Sequence, residues 1–139
     1  MSKSIENLIS ALQKAITERP KVGGFPYLAE TLRTAGVTRN IWFLPSCQSL
    51  YLTNDGPVVN QSKPLFEGNA DVPRFNQKAL VHALRTDQAG KSTFPEFLDA
   101  AWQAGVVRYE VDFKKRKVSY YGCFDEEYVE EYPEIILNK

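Results

Sequence analysis

Thr93-Phe94-Pro95-Glu96-Phe97-Leu98-Asp99-Ala100-Ala101-Trp102-Gln103-Ala104-Gly105-Val106-Val107-Arg108-Tyr109-Glu110-Val111-Asp112-Phe113 carries the chain from one kind of periodicity to another. Thr93 and Glu96 have the spacing of a capping box, in which each side chain satisfies an amide at a helix start. Phe94, Phe97, Leu98, Ala101 and Trp102 then recur at helical steps, and Gly105 supplies the stop. Beyond it Val107, Tyr109, Val111 and Phe113 alternate with Arg108, Glu110 and Asp112, the pattern of a strand with one buried face. Lys114 to Arg116 form a turn, Val118 to Tyr121 the return strand, and Tyr128 to Tyr132 a third strand. Helix, glycine and meander in that order indicate an α+β fold.

The same order stands earlier in the chain. Ile5, Leu8, Ile9, Leu12 and Ile16 mark an amphipathic helix expected to be capped by Ser4, and Gly23-Gly24 separates it from a second helix running from Pro26 to Gly36. Ile41 to Leu44 and Ser49 to Thr53 read as a hairpin, and Asn54-Asp55-Gly56 turns into a short Val58-Val59 strand. Phe25 to Val37 aligns with Phe94 to Val106 at an offset of 69, with five identities in 13 positions. At that offset Arg39 meets Arg108, and Tyr51 meets Tyr120. These matches predict an internal duplication of a helix-helix-meander unit, with pseudo-repeats at about 4–60 and 71–133 and a connecting loop over 61–73. The second repeat is expected to begin with a helix entered at Pro73 and carrying Phe75, Ala79, Leu80, Ala83 and Leu84. Either unit alone would leave a sheet face and helix faces bare, so the two are expected to share one core. The predicted architecture has two layers, an antiparallel sheet with its helices on one face.

Composition narrows the class. The chain has 139 residues, 43% of them hydrophobic and 24% charged, and its 17 basic residues cancel 17 acidic ones. That is the profile of a single soluble globular domain, 1–139. No apolar run approaches the roughly 20 residues a membrane span needs, and Met1 to Glu6 lacks the pattern of a secretory leader, so a cytoplasmic location without membrane association is expected. Cys47 and Cys123 have no metal or redox spacing and read as free thiols.

Gly105 to Phe113, followed by Arg116, Val118, Tyr120-Tyr121-Gly122, Glu127-Tyr128 and Tyr132-Pro133, resembles the C-terminal signature of the YbcV/YdfO-like family. These are small bacterial and prophage-encoded proteins without an assigned function. The resemblance spans nearly the whole chain and implies a two-layer α+β fold and a prophage context; some members are called phage envelope proteins. It implies no catalytic residue.

No nucleophile elbow, phosphate loop or dinucleotide fingerprint is present. His82 shares the polar side of its helix with Lys78 and Arg85, and no metal or other cofactor is expected. Lys114-Lys115-Arg116-Lys117 could contact phosphates, but zero net charge and the acidic run from Asp125 to Glu134 disfavour nucleic acid and suggest pairing across strands. Five of seven tyrosines fall between 109 and 132, and strand neighbours Tyr120 and Tyr121 must face opposite ways. The expected function is a non-enzymatic binding module for a protein or small-molecule partner, working through a free sheet face or the junction of the halves. Its candidate contacts are Arg39, Tyr51, Arg108, Asp112, Tyr120 and Tyr121, with Arg39 and Arg108 converging on an anion. The alternatives are a small enzyme using Asp112, Glu110 or Cys47, and a nucleic-acid binder using 114–117.

Overall fold

The computed structural model describes residues 1–137. Its elements run α1 (Lys3–Glu18), α2 (Gly24–Thr34), β1 (Val37–Phe43), β2 (Gln48–Thr53), β3 (Gly56–Gln61), α3 (Gln77–Gln88), α4 (Phe94–Gln103), β4 (Val106–Asp112), β5 (Lys117–Gly122) and β6 (Glu127–Glu131). The six strands form one antiparallel sheet in the order β3-β2-β1-β4-β5-β6. The fold is therefore α+β, with the helices packed on one sheet face.

The central pairing, β1 with β4, sets Ile41 opposite Glu110. Those residues are themselves 69 apart, so the sequence offset becomes an approximate twofold relation through the middle of the sheet. Backbone detail follows it. Register shifts fall at Val37/Arg39 and again at Val106/Arg108. Left-handed backbone occurs at Gly36 and Gly105, where helices pass into strands, and at Cys47 and Arg116, in the β1–β2 and β4–β5 turns.

Local chemistry accounts for the element ends. The Thr93 hydroxyl accepts from the Glu96 amide while the Glu96 carboxylate accepts from the Thr93 amide, completing the expected capping box. In α1 the cap is Ser2 and not Ser4: its hydroxyl accepts from the Ile5 amide, because the helix starts at Lys3, two residues earlier than its apolar stripe suggests. In the second half, α3 begins at Gln77, four residues beyond the expected Pro73. The Asn76 amide donates to the Ala104 carbonyl at 2.8 Å, and its side chain caps the helix by accepting from Ala79. Phe75 packs directly against Gly105, so the chain before Asn76 is committed to tertiary contacts and not to a helical turn.

Alternation along the strands divides the sheet into two unlike faces. Toward the helices point Asn40, Trp42, Tyr51, Tyr109, Val111, Val118 and Tyr120, all buried. They meet Leu8, Leu32, Leu80, Leu84, Phe97 and Ala101 in one continuous core. Each large apolar side chain fully buried there contributes about 1.5–3 kcal/mol. The opposite face carries Arg39, Ile41, Phe43, Leu50, Arg108, Glu110, Asp112 and Tyr121, exposed or half-buried. Among the described residues no helix is long and apolar enough to cross a membrane.

Candidate functional site

Two residue rows of the buried face form a floor. In one, Ser49, Trp42, Tyr109, Tyr120 and Tyr128 lie side by side across five strands; in the other, Tyr51, Asn40, Val111, Val118 and Glu130 do. Their rings form a ladder. Trp42 stacks on Tyr109 with centroids 6.2 Å apart and planes 5° from parallel, and Tyr109, Tyr120 and Tyr128 continue at 5.8 and 6.4 Å. Phe94 closes the other side of Trp42, edge-on at 5.2 Å.

Above this floor the two helix pairs flank a cavity of about 450 Å³ that is partly open to solvent, the Ile16 side of its wall being exposed. Leu12 and Ile16 of α1, Phe25 and Leu28 of α2, Leu84 and Asp87 of α3, and Phe94 and Phe97 of α4 supply its walls, so both halves of the chain build it. Nine of its lining side chains are aromatic. An open depression of about 500 Å³ between the α1–α2 and α3–α4 loops shares Arg19, Phe25, Asp87, Gln88 and Phe94 with the cavity and forms its mouth. Phe25 and Phe94 are the two aromatic residues of the repeated Phe-Pro pairs, each opening a helix at equivalent positions.

Polar groups are set among the apolar ones. Asn40 is buried, and its side-chain amide donates to the Leu50 carbonyl at 2.9 Å. Trp42 is 7% exposed, and its indole N–H is buried without a hydrogen-bond partner. Burial pushes the phenols of Tyr51, Tyr109 and Tyr120 above their ordinary range, so all three are neutral near neutral pH. Glu130 is held by Arg85 at 2.6 and 3.1 Å and by the Tyr128 hydroxyl at 2.7 Å. Burial works against ionisation of Glu130, but these donors outweigh it and lower its pKa. Asp87 is half-buried, and its carboxyl is pushed up by burial against the opposing pull of Ser92 and Arg19.

The six residues expected to make contacts divide between the two faces. Tyr51 and Tyr120 line the cavity. Arg39, Arg108, Asp112 and Tyr121 lie on the opposite face, where Tyr121 is half-buried, so the alternation between Tyr120 and Tyr121 is realised. Arg39 and Arg108 do not converge: Arg39 sits opposite Asp112 and Arg108 opposite Phe43, four residues apart along the strand pair. Arg39 is ion-paired with Glu110 at 2.8 Å, and the Arg108 guanidinium lies 4.0 Å over the Tyr121 ring.

The groups considered for catalysis are occupied in structure. Asp112 accepts from the amides of Lys114 and Lys115 at 3.1 and 3.0 Å, closing the hairpin turn. Burial pushes the Cys47 thiol up, away from the thiolate a nucleophile needs. In the basic turn, Arg116 pairs with Glu30 and Glu134, and Lys117 reaches Glu131 at 4.0 Å, as the neighbouring acidic run suggests. Among the described residues no cluster of three or more histidine, cysteine or carboxylate side chains could hold a metal.

Trp42, Tyr109, Phe25, Phe94 and Asp87 were not expected at a site. Period-two alternation places Trp42 and Tyr109 inward with Tyr51 and Tyr120, and the repeated Phe-Pro pairs mark the mouth. A void between them has no sequence signal, because it depends on how far the helix pairs stand apart.

Fold and cavity together define a small α+β protein with an aromatic-lined pocket between its sheet and its helices. The family model described as "Protein of unknown function (DUF1398)" matches residues 13–131, and the chain belongs to that family. It is 55% identical over 132 residues to the uncharacterised protein Rv2012 of Mycobacterium tuberculosis, covering 95% of this chain and 80% of that protein. The uncharacterised protein Mb2035 of Mycobacterium bovis matches with the same identity and the same coverage.

Proposed function

We propose that this protein is a non-enzymatic binding module that encloses a small, largely apolar molecule in the aromatic cavity at the junction of its halves. The observation that carries this reading is the cavity itself. Protein interiors close to nearly crystalline density, and voids larger than a water molecule are few. At about 450 Å³ the space is many times the volume of a water molecule, too large to stay empty beside solvent. The space therefore holds water or a ligand. The lining surface is mostly apolar, which suits a ligand with an apolar body, and the size falls in the range of small-molecule pockets.

The same reading takes the two halves as copies of one ancestral unit. Matching helix ends, left-handed residues and register shifts at one offset support it. Each copy contributes one Phe-Pro helix start and, at matched positions, an inward tyrosine, Tyr51 or Tyr120, to the shared space; Tyr109 and Tyr132 of the second copy line it as well.

A neutral bicyclic probe, 1-naphthalenemethanol, tests the proposal by titration calorimetry. Saturable one-to-one binding is expected, and Val118→Phe, which fills the floor, abolishes it while the protein stays folded. Leu12→Trp, which enters from the α1 wall, does the same. Binding unchanged in both folded variants would place the probe elsewhere and refute the reading.

A further inference from the structure

Resting on the cavity proposed above, the geometry points to its ligand class: a monocationic amine with an apolar body, its ammonium group held at the mouth between Phe25, Phe94 and the Asp87 carboxylate.

The charge least screened by solvent favours a cation. Asp87, Glu130 and Glu131 line the cavity against Arg19, and the mouth adds Glu96, Lys21 and Lys91, all three exposed to solvent, whereas Asp87 is half-buried. The cations that balance two of those carboxylates, Arg85 for Glu130 and Lys117 for Glu131, are not among the lining residues. Asp87 is different. Its one hydrogen bond from a side chain is the Ser92 hydroxyl at 3.3 Å, and among the described residues no basic side chain lies within ion-pair distance of it. Burial already disfavours its charge, so a cation brought to it recovers what desolvation has taken.

The surroundings suit such a ligand as well. Phe25 and Phe94 flank the mouth, and aromatic faces attract ammonium groups through the ring quadrupole. Beyond them the Trp42–Tyr109 stack and Phe97 accept an apolar body. The unpartnered Trp42 indole N–H is an independent sign of an unfilled site, since a buried donor left unpaired is uncommon in a native interior. Arg19, Lys21 and Lys91 are the opposing influence. They are exposed and stand around the mouth, where they weaken the field at Asp87 and attract anions.

Three probes of one shape separate the possibilities: 1-naphthylmethylamine, 1-naphthalenemethanol and 1-naphthoate, titrated at pH 7. The amine is expected to bind about tenfold more tightly than the alcohol, the cation and carboxylate each contributing a modest share. Asp87→Asn keeps the Ser92 hydrogen bond and the fold; it erases the amine's advantage and leaves the alcohol unchanged. Arg19→Gln enlarges the advantage. Equal affinities for all three, or an amine advantage that survives Asp87→Asn, would overturn the ligand class while leaving the cavity reading intact. Tightest binding by the naphthoate would overturn it in favour of Arg19. Failure of every probe to bind at millimolar concentration would overturn both.

Discussion

Glu30 offers the most demanding test of how the two halves are clasped. It is a carboxylate on α2 whose side chain is only 9% exposed, and it accepts from the Arg33 Nε at 3.0 and 3.1 Å. Arg116, from the turn between β4 and β5, stands 3.8 Å from its other side and 3.6 Å from Glu134. One residue thus joins a helix of the first half to a hairpin of the second. Replacing it with Gln keeps the shape and removes the charge, leaving Arg116, whose Nε is already buried without a partner, short of its inner counter-ion. Losing one member of a fully buried pair costs about 3–5 kcal/mol, and a charge-assisted hydrogen bond about 1.5–3. Arg33 is 40% exposed, so water replaces part of what is lost and the lower figure governs. We expect Glu30→Gln to cost about 2 kcal/mol at pH 7, roughly 6–10 °C in melting temperature for a domain of this size.

The pH dependence gives this prediction its edge. The Arg33 hydrogen bonds, against the opposing effect of burial, hold the Glu30 pKa below its ordinary value. A depressed carboxylate contributes stability that is fully present above its unfolded pKa of about 4.3 and is lost as pH falls through its folded value. Urea unfolding of both proteins should therefore show the full difference at pH 7 and its progressive loss as pH falls below about 4.3. A difference that persists in acid, or one below about 0.5 kcal/mol at pH 7, would refute the clasp, because the second is ordinary surface behaviour.

Two further predictions concern local structure. Gly105 has φ +86°, and a Cβ there would lie 2.5 Å from backbone atoms of Phe75, whereas Gly23, at φ +68°, has nothing within 4 Å. Gly105→Ala should cost about 3 kcal/mol or more and Gly23→Ala only about 1–2, read as shifts in urea midpoint; equal costs would contradict the packing of Phe75. Cys123 is exposed and Cys47 is buried with its thiol pushed up. A disulfide reagent should therefore label a single cysteine in the native protein and the second only in urea; rapid labelling of both would show that the β1–β2 turn opens readily.

How much of this was legible in the sequence differs by level. The capping box at Thr93, the alternation from Val107 to Phe113 and the glycine at 105 each carry a local physical signal, and each stands where its signal lies. The start of α3 was hidden because Phe75 and Asn76 are governed by Gly105 and Ala104, 30 and 28 residues away. The sheet order was hidden for a similar reason: hairpins announce their own pairings, but nothing local announces that β1 meets β4. Tyrosine clustering was visible, and so was the need for Tyr120 and Tyr121 to part. Which of them would face the helices was not, since a tyrosine suits either face of a strand. Arg39 and Arg108 stood out through the repeat, yet an antiparallel pairing about Ile41 and Glu110 moves symmetric residues to opposite sides of the axis.

The central claim is that the aromatic space between the helix pairs receives a ligand, and the two tryptophans report on it directly. Trp42 lines the cavity, while Trp102 packs on Phe66 with ring centroids 5.6 Å apart and is not among the lining residues. In a proton–nitrogen correlation spectrum titrated with 1-naphthylmethylamine, the Trp42 indole signal should move saturably while that of Trp102 stays in place. Movement of Trp102 alone, or of open-face groups such as Arg108 and Tyr121 with Trp42 unchanged, would contradict the account.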